Sequence, residues 1–218
     1  MNWKKQVFDS FRFYGVTDIA EDSRDILKKI DKAYAGGADI IQLRSKTLSD
    51  AALYRLGLAI RKIANRRKKL FFVNDRLDLA LAVAADGIHL GQDDLPVDWV
   101  RKTLKRNTLR MWIGKSTHSL SQALKAQRED VDYIGVGPVF KTPTKPDYPP
   151  VGIDFVRQAS ANVRRPFVAI GGIDLTNIET VLEAGARRIA VVRALFEKEN
   201  TYEIAQQFAK KIDAFTGA

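Results

Sequence analysis

The chain has no cysteine. That excludes a disulfide framework, a thiolate nucleophile and any cysteine-based metal site. Histidine is nearly as scarce, with only His89 and His118. Neither a histidine metal cluster nor a Ser–His–Asp spacing assembles from the sequence around these two residues. His89 lies within an apolar run and reads as a satisfied structural residue, whereas His118 falls in a loop where it could touch a ligand. Long apolar runs are also missing: none approaches the roughly 18 residues needed to span a bilayer. The opening stretch MNWKKQVFDSFRFYGVTD has basic residues but no apolar signal core or cleavage pattern. We therefore expect a cytoplasmic protein without a membrane partner.

What is present is enough for a sizeable core, with 218 residues of which 45% are hydrophobic. No linker or low-complexity tract interrupts them, so residues 1–218 read as one domain. The net charge is +10. Much of it sits in two runs, RKIANRRKK (61–69) and RKTLKRNTLR (101–110), each at the end of an expected helix and just before a strand. Cations there complement the helix dipole and are solvated. Neither run carries interleaved aromatics or a recognition motif, so nucleic acid is not expected as a partner. Anionic small molecules are, because net positive charge speeds their encounter.

Residues 70–94, LFFVNDRLDLALAVAADGIHLGQDD, set the pattern for the chain. Two apolar runs, LFFV and GIHL, flank a helix-length segment carrying Leu77, Leu79, Ala80, Leu81 and Val83, which makes a parallel βαβ unit. The same rhythm appears in FRFYGVT, ADIIQLR, RMWIGKS, VDYIGVG, RPFVAIGG and RRIAVV. Helical spacing follows several of these runs: Ile26 to Tyr34, Leu53 to Ile63, a helix begun at Pro96, one from Ser119, one over 174–184 and one over 202–215. Eight such units point to an α/β fold of the (β/α)8 TIM-barrel type. The alternative, a doubly wound sheet, wants a glycine fingerprint after its first strand, and GVTDIAED does not supply one.

A barrel of this kind places its chemistry just beyond the strand ends. Asp75 and Asp94 end neighbouring strands and could hold Mg²⁺, although Asp is also a favoured helix cap. Arg44 and Lys46 alternate, so a continuing strand would put both on one face, where a cationic pair beside two carboxylates suits a diphosphate. Lys145 sits in a proline-stiffened loop. Gly171 and Gly172, ahead of a helix, suit a phosphate held by backbone N–H groups. The inventory is rich in anion holders and poor in nucleophiles. It fits transfer from a diphosphate, which chiefly needs leaving-group stabilisation.

Six motifs in order, QLRSK, FVNDRLDLA, ADGIHLGQDDL, GKSTHS, IGVGPVFKTPTK and VAIGGI, resemble the thiamine phosphate synthase family over about residues 13–196. The resemblance implies a TIM barrel that uses Mg²⁺. Its reaction joins hydroxymethylpyrimidine diphosphate to thiazole phosphate, giving thiamine phosphate and pyrophosphate. It implies that Gln42, Arg44, Ser45, Lys46, Asn74, Ser116 and Lys145 meet the pyrimidine diphosphate, with Arg44, Lys46 and Lys145 catalytic. It further implies Asp75 and Asp94 as metal ligands, and Thr142, Thr144, Gly172, Val192 and Arg193 around the thiazole phosphate. The chain departs from the family pattern at three of its positions. Ser45 stands where the family usually has Glu or Asp, Lys115 replaces a small apolar residue, and Arg193 replaces a serine. Arg193 either strengthens anion binding or crowds the pocket. A related thiazole tautomerase working through His118, and a non-catalytic thiazole phosphate-binding barrel, are the alternatives. A homo-oligomer is compatible with each of these readings.

Overall fold

Eight short runs of β-branched and aromatic residues become parallel strands: β1 Phe13–Val16, β2 Ile40–Leu43, β3 Leu70–Asn74, β4 Gly87–Leu90, β5 Trp112–Thr117, β6 Tyr133–Val136, β7 Phe167–Ile170 and β8 Ile189–Val191. They close into a barrel in chain order, with Phe13 of β1 lying opposite Ile189 of β8. The computed structural model describes residues 3–19, 25–143, 149–197 and 199–217. Among these, the helices are α1 Trp3–Ser10, α2 Ile26–Ala35, α3 Asp50–Arg67, α4 Leu77–Ala82, α5 Val97–Arg106, α6 Leu120–Ala126, α7 Gly152–Asn162, α8 Ile178–Glu183, α9 Arg193–Phe196 and α10 Thr201–Thr216. None of them is long and apolar enough to cross a membrane.

Strand side chains alternate, so one parity of each strand fills the barrel and the other meets the helices. Phe13, Ile41, Phe71, Ile88, Ile113 and Ile134 face outward into the strand–helix layer. Tyr14, Ile40, Leu70, Phe72, Tyr133 and Val168 point inward. The inward set contains large rings, and glycine makes room for them. A Cβ on Gly114 would lie 2.1 Å from Tyr133 Cζ, so only glycine lets that tyrosine reach across the barrel.

The amino end of the barrel is closed by α1, a helix that the sequence reading did not assign. Its eight residues are too few to be stable alone. It holds because Phe8 stacks on Trp112, with ring centroids 4.5 Å apart, and packs beside Phe11 and Phe72. Lys4 adds a 2.7 Å ion pair to the buried Asp86, which also takes Arg61 and the Phe71 N–H. Helix α7 was not assigned either; it follows the long β6 loop and buries Phe155, Val156 and Ala159.

Helix ends follow their local chemistry. Ser49 caps α3 through the Ala52 N–H, and Ser119 caps α6 through that of Gln122. The helix expected from 174 starts only at Ile178, because the Asp174 carboxylate is turned to the N–H groups of Thr176 and Asn177. Pro96 is the residue before α5 rather than its first. Both basic runs are partly tied down within the chain. Arg66 and Arg67 hold Asp31, while Arg101 holds Asp132 and the Asp130 carbonyl.

Candidate active site

Above the ring layer the inward positions turn polar, and a cleft opens at the carboxyl ends of the strands. The same parity that buries Tyr14, Ile40 and Phe72 brings up Gln42 and Arg44 from β2 and its extension, Asn74 from β3, His89 from β4 and Ser116 from β5. All of these line the cleft. Arg44 is 8% exposed and paired with Asp18. Its position is fixed by Thr17, whose hydroxyl accepts from the Arg44 N–H at 3.0 Å and whose single hydrogen is shared between the Gln42 and Arg44 carbonyls.

The alternation stops there. Strand β2 ends at Leu43, so Lys46 does not share a face with Arg44; it lies exposed in the following loop, without a partner among the described residues. The reason is Ser45. Its hydroxyl donates to the Ile19 carbonyl at 2.6 Å and accepts from the N–H groups of Thr47 and Leu48, which turns the chain. The Ser45 side chain is thus engaged in the turn and is not part of the cleft lining.

Neither Asp75 nor Asp94 caps a helix. The residues before α4 and α5 are Arg76 and Pro96, and neither helix has a side-chain cap. Asp75 adopts φ +60, donates its backbone N–H to the His89 carbonyl at 2.8 Å and accepts at its carboxylate from the Asn74 amide. A left-handed Asp at a strand end is strained backbone of the kind that clusters at functional sites. Asp94 accepts from the Gly91 N–H, and the Gly91 carbonyl is held in turn by the buried Lys115 ammonium at 2.8 Å. Asp94 lines an outer depression with Gln92 and Lys115 beside α5, rather than the central cleft itself.

Asp75 and Asp94 offer carboxylate oxygens, hard donors, from the segments that follow β3 and β4. Mg²⁺ takes one or two carboxylates and completes its shell with water and phosphate oxygens, so the residues fit that ion. No group of three or more such side chains occurs among the described residues.

Across the cleft, β7 ends in Gly171 at φ +104 and Gly172 at φ +65. Side chains are excluded there on steric grounds as well. A Cβ on Gly171 would sit 2.5 Å from Pro138 Cα, and one on Gly172 2.7 Å from Phe140 Cβ. The Gly172 N–H has no acceptor among the described residues, leaving a donor at this turn. Thr142 and Val192 also line the cleft. Arg193 does not crowd it: its guanidinium is turned onto Glu197, one turn along, and that carboxylate raises its already high pKa. Thr144 and Lys145 lie outside the described residues.

A family model described as thiamine monophosphate synthase matches residues 13–195, from the first strand to α9. The chain belongs to the thiamine monophosphate synthase family. A thiamine-phosphate synthase of Thermobifida fusca is 43% identical, with 96% of each chain covered. Another, of Prochlorococcus marinus strain MIT 9313, is 43% identical over 82% of this chain; the chain spans about half of that relative's length, 50%. Among solved structures, a thiamine phosphate pyrophosphorylase from Pyrococcus furiosus superposes with a TM-score of 0.86 at 32% identity, covering 96% of this chain and 98% of that one. The closed eight-stranded barrel read from the sequence is thus also the fold of a family relative.

The sequence reading missed part of the family barrel's cleft floor. Tyr14 and Tyr133 lie beneath the polar rim and are fully buried, and burial pushes both phenols up, so they remain neutral hydroxyls. His89, read as a structural residue, is satisfied, yet it stands in the cleft with Nδ1 2.8 Å from Tyr133 Oη and Nε2 2.8 Å from Ser116 Oγ. Parity was the available signal: each of these residues sits two positions from a predicted site residue or shares its inward register.

Proposed function

We propose that this chain is a thiamine phosphate synthase. It would transfer the hydroxymethylpyrimidine group from its diphosphate to the nitrogen of thiazole phosphate. The methylene C–O bond breaks and pyrophosphate leaves with the bonding electron pair. The thiazole nitrogen then supplies the pair for the new C–N bond. The observation that carries this reading is one cleft lined by Arg44 on one side and by the Gly171–Gly172 turn on the other. The 43% identity to a thiamine-phosphate synthase over nearly all of both chains supports it.

In this proposal Gln42, Asn74 and Ser116 orient the pyrimidine diphosphate, and Arg44 neutralises its departing charge. Lys46 and Lys145 would add positive charge toward the same group. Asp75 and Asp94 would hold Mg²⁺, which when bound would supply charge stabilisation for a diphosphate. Thr142, Thr144 and the N–H groups of Gly172 and Arg193 hold the thiazole phosphate. Ser45 acts indirectly, by setting the turn that carries Lys46. We assign the protein to the cytoplasm as a small-molecule enzyme, self-associating or not.

The test is pyrophosphate release by purified protein given each substrate alone, both together, and both without Mg²⁺. Release requiring both substrates and the metal is the expected result. Isomerisation of a thiazole phosphate without pyrophosphate release would replace this reading with the tautomerase.

A further inference from the structure

Five side chains from five strands join in one hydrogen-bonded chain across the cleft floor. Gln42 Nε2 donates to Tyr14 Oη at 2.8 Å, and Tyr14 Oη lies 3.1 Å from Tyr133 Oη. The two His89 bonds, to Tyr133 and to Ser116, complete it. Protons in such a chain are not independent, because each hydroxyl has a single hydrogen to give.

With the Gln42 amide donating at one end, the Tyr14 hydrogen is left for Tyr133, its other partner among the described residues. Tyr133 then gives its own hydrogen to His89 Nδ1, which must be the unprotonated nitrogen. The remaining ring proton sits on Nε2 and goes to Ser116 Oγ. Ser116 accepts there, so its own hydrogen is directed elsewhere. The opposite polarity would leave the Tyr14 hydroxyl hydrogen without an acceptor at a position only 2% exposed. Both phenols stay neutral, which keeps the chain intact.

We propose that His89 is a positioning residue, held by the Gln42–Tyr14–Tyr133 chain as its neutral Nε2–H tautomer so that Ser116 presents a hydrogen-bond donor to the substrate. The substrate atom facing the Ser116 hydrogen is then a lone-pair acceptor, a ring nitrogen or a phosphate oxygen. This rests on the proposed role of Ser116 in binding the pyrimidine diphosphate. The tautomer does not depend on it.

The second histidine provides an internal reference. His118 Nδ1 faces the Gly137 carbonyl, which can only accept, so its proton lies on Nδ1. The free protein at pH 8 should therefore show two neutral histidines of opposite tautomer in a ¹⁵N imidazole correlation spectrum, assigned with His118→Asn. Tyr133→Phe, which removes one oxygen and little volume, should mix the His89 tautomers and leave His118 unchanged. In the pyrophosphate assay it should lower kcat roughly ten-fold, the size of one lost hydrogen bond, with a smaller change in KM. Tyr14→Phe should give a weaker effect of the same kind.

A wild-type His89 carrying its proton on Nδ1 would overturn the proposal. So would a Tyr133→Phe protein with an unaltered His89 signal, or one with unaltered kcat. If wild-type protein released no pyrophosphate while the tautomers came out opposite, the functional reading would fall and the polarised chain would stand.

Discussion

Gly172→Ala tests the anion-holding rim most directly, because the structure gives each part of its cost. Residue 172 sits at φ +65, where an L-residue costs about 1–2 kcal/mol. The new Cβ would lie 2.7 Å from Phe140 Cβ and 2.8 Å from the Lys141 carbonyl oxygen. One of these neighbours is backbone, so relief requires moving the β6 loop, a strain of about 1–3 kcal/mol. The total is roughly 2–5 kcal/mol. Gly152 is the control: it has φ +76 but nothing within 4 Å of its would-be Cβ. Gly152→Ala therefore bears only the backbone cost, about 1–2 kcal/mol. The gain from a stiffer unfolded chain, under about 1 kcal/mol, is common to both and cancels in their difference.

For a chain of this size each kcal/mol lowers Tm by about 2–4 °C. Thermal melts should show a drop of about 4–20 °C for Gly172→Ala against about 2–8 °C for Gly152→Ala. Steady-state kinetics should show the KM for thiazole phosphate raised about ten-fold in Gly172→Ala, one charge-assisted bond's worth, with the pyrimidine KM little changed. Equal melting of the two variants would refute the packing argument. A wild-type thiazole phosphate KM in Gly172→Ala would refute the rim as the phosphate site.

Further outcomes follow from other parts of the molecule. Asp94→Asn keeps an oxygen for the Gly91 N–H, so stability should change by less than about 0.5 kcal/mol while the Mg²⁺ concentration for half-maximal rate rises ten-fold or more; a matching loss of Tm would make Asp94 structural. Phe8→Ala should cost about 3–5 kcal/mol in urea unfolding, since the ring stacks on Trp112 at the closed end, yet leave kcat unaltered in the folded protein. The Arg67 guanidinium holds the Asp31 carboxyl at about 2, below its ordinary value. The stability from this partly exposed pair, under about 1 kcal/mol, is present above the usual carboxylate range and lost as pH falls toward 2. Asp31→Asn should flatten that part of the acid-unfolding curve and leave the remainder unchanged.

The barrel was legible in the sequence because its cause is local and repeated. Eight apolar runs separated by amphipathic segments leave parallel strands with helices outside as the economical way to bury both faces. Asn74, Asp75, Ser116 and the Gly171–Gly172 pair were legible for the same reason, as polar or glycine residues at the ends of buried runs. Helix α1 was not, because its stability lies in Trp112 and Phe72, far along the chain. The fate of Lys46 was not either: alternation holds only while the strand lasts, and the Ser45 bond to Ile19 ends it. Arg193 read equally well as a phosphate ligand or an obstruction until Glu197 was seen to hold it. The polarity of the His89 chain lay furthest from view. It depends on single hydrogens passed between residues up to 119 positions apart, and only the closed barrel brings them within bonding distance. The sequence by itself determined the barrel and the strand ends at which polar groups would stand. The tertiary structure decided how those groups are paired and which way their protons point, because hydrogen-bond direction depends on three-dimensional neighbours and not on position along the chain.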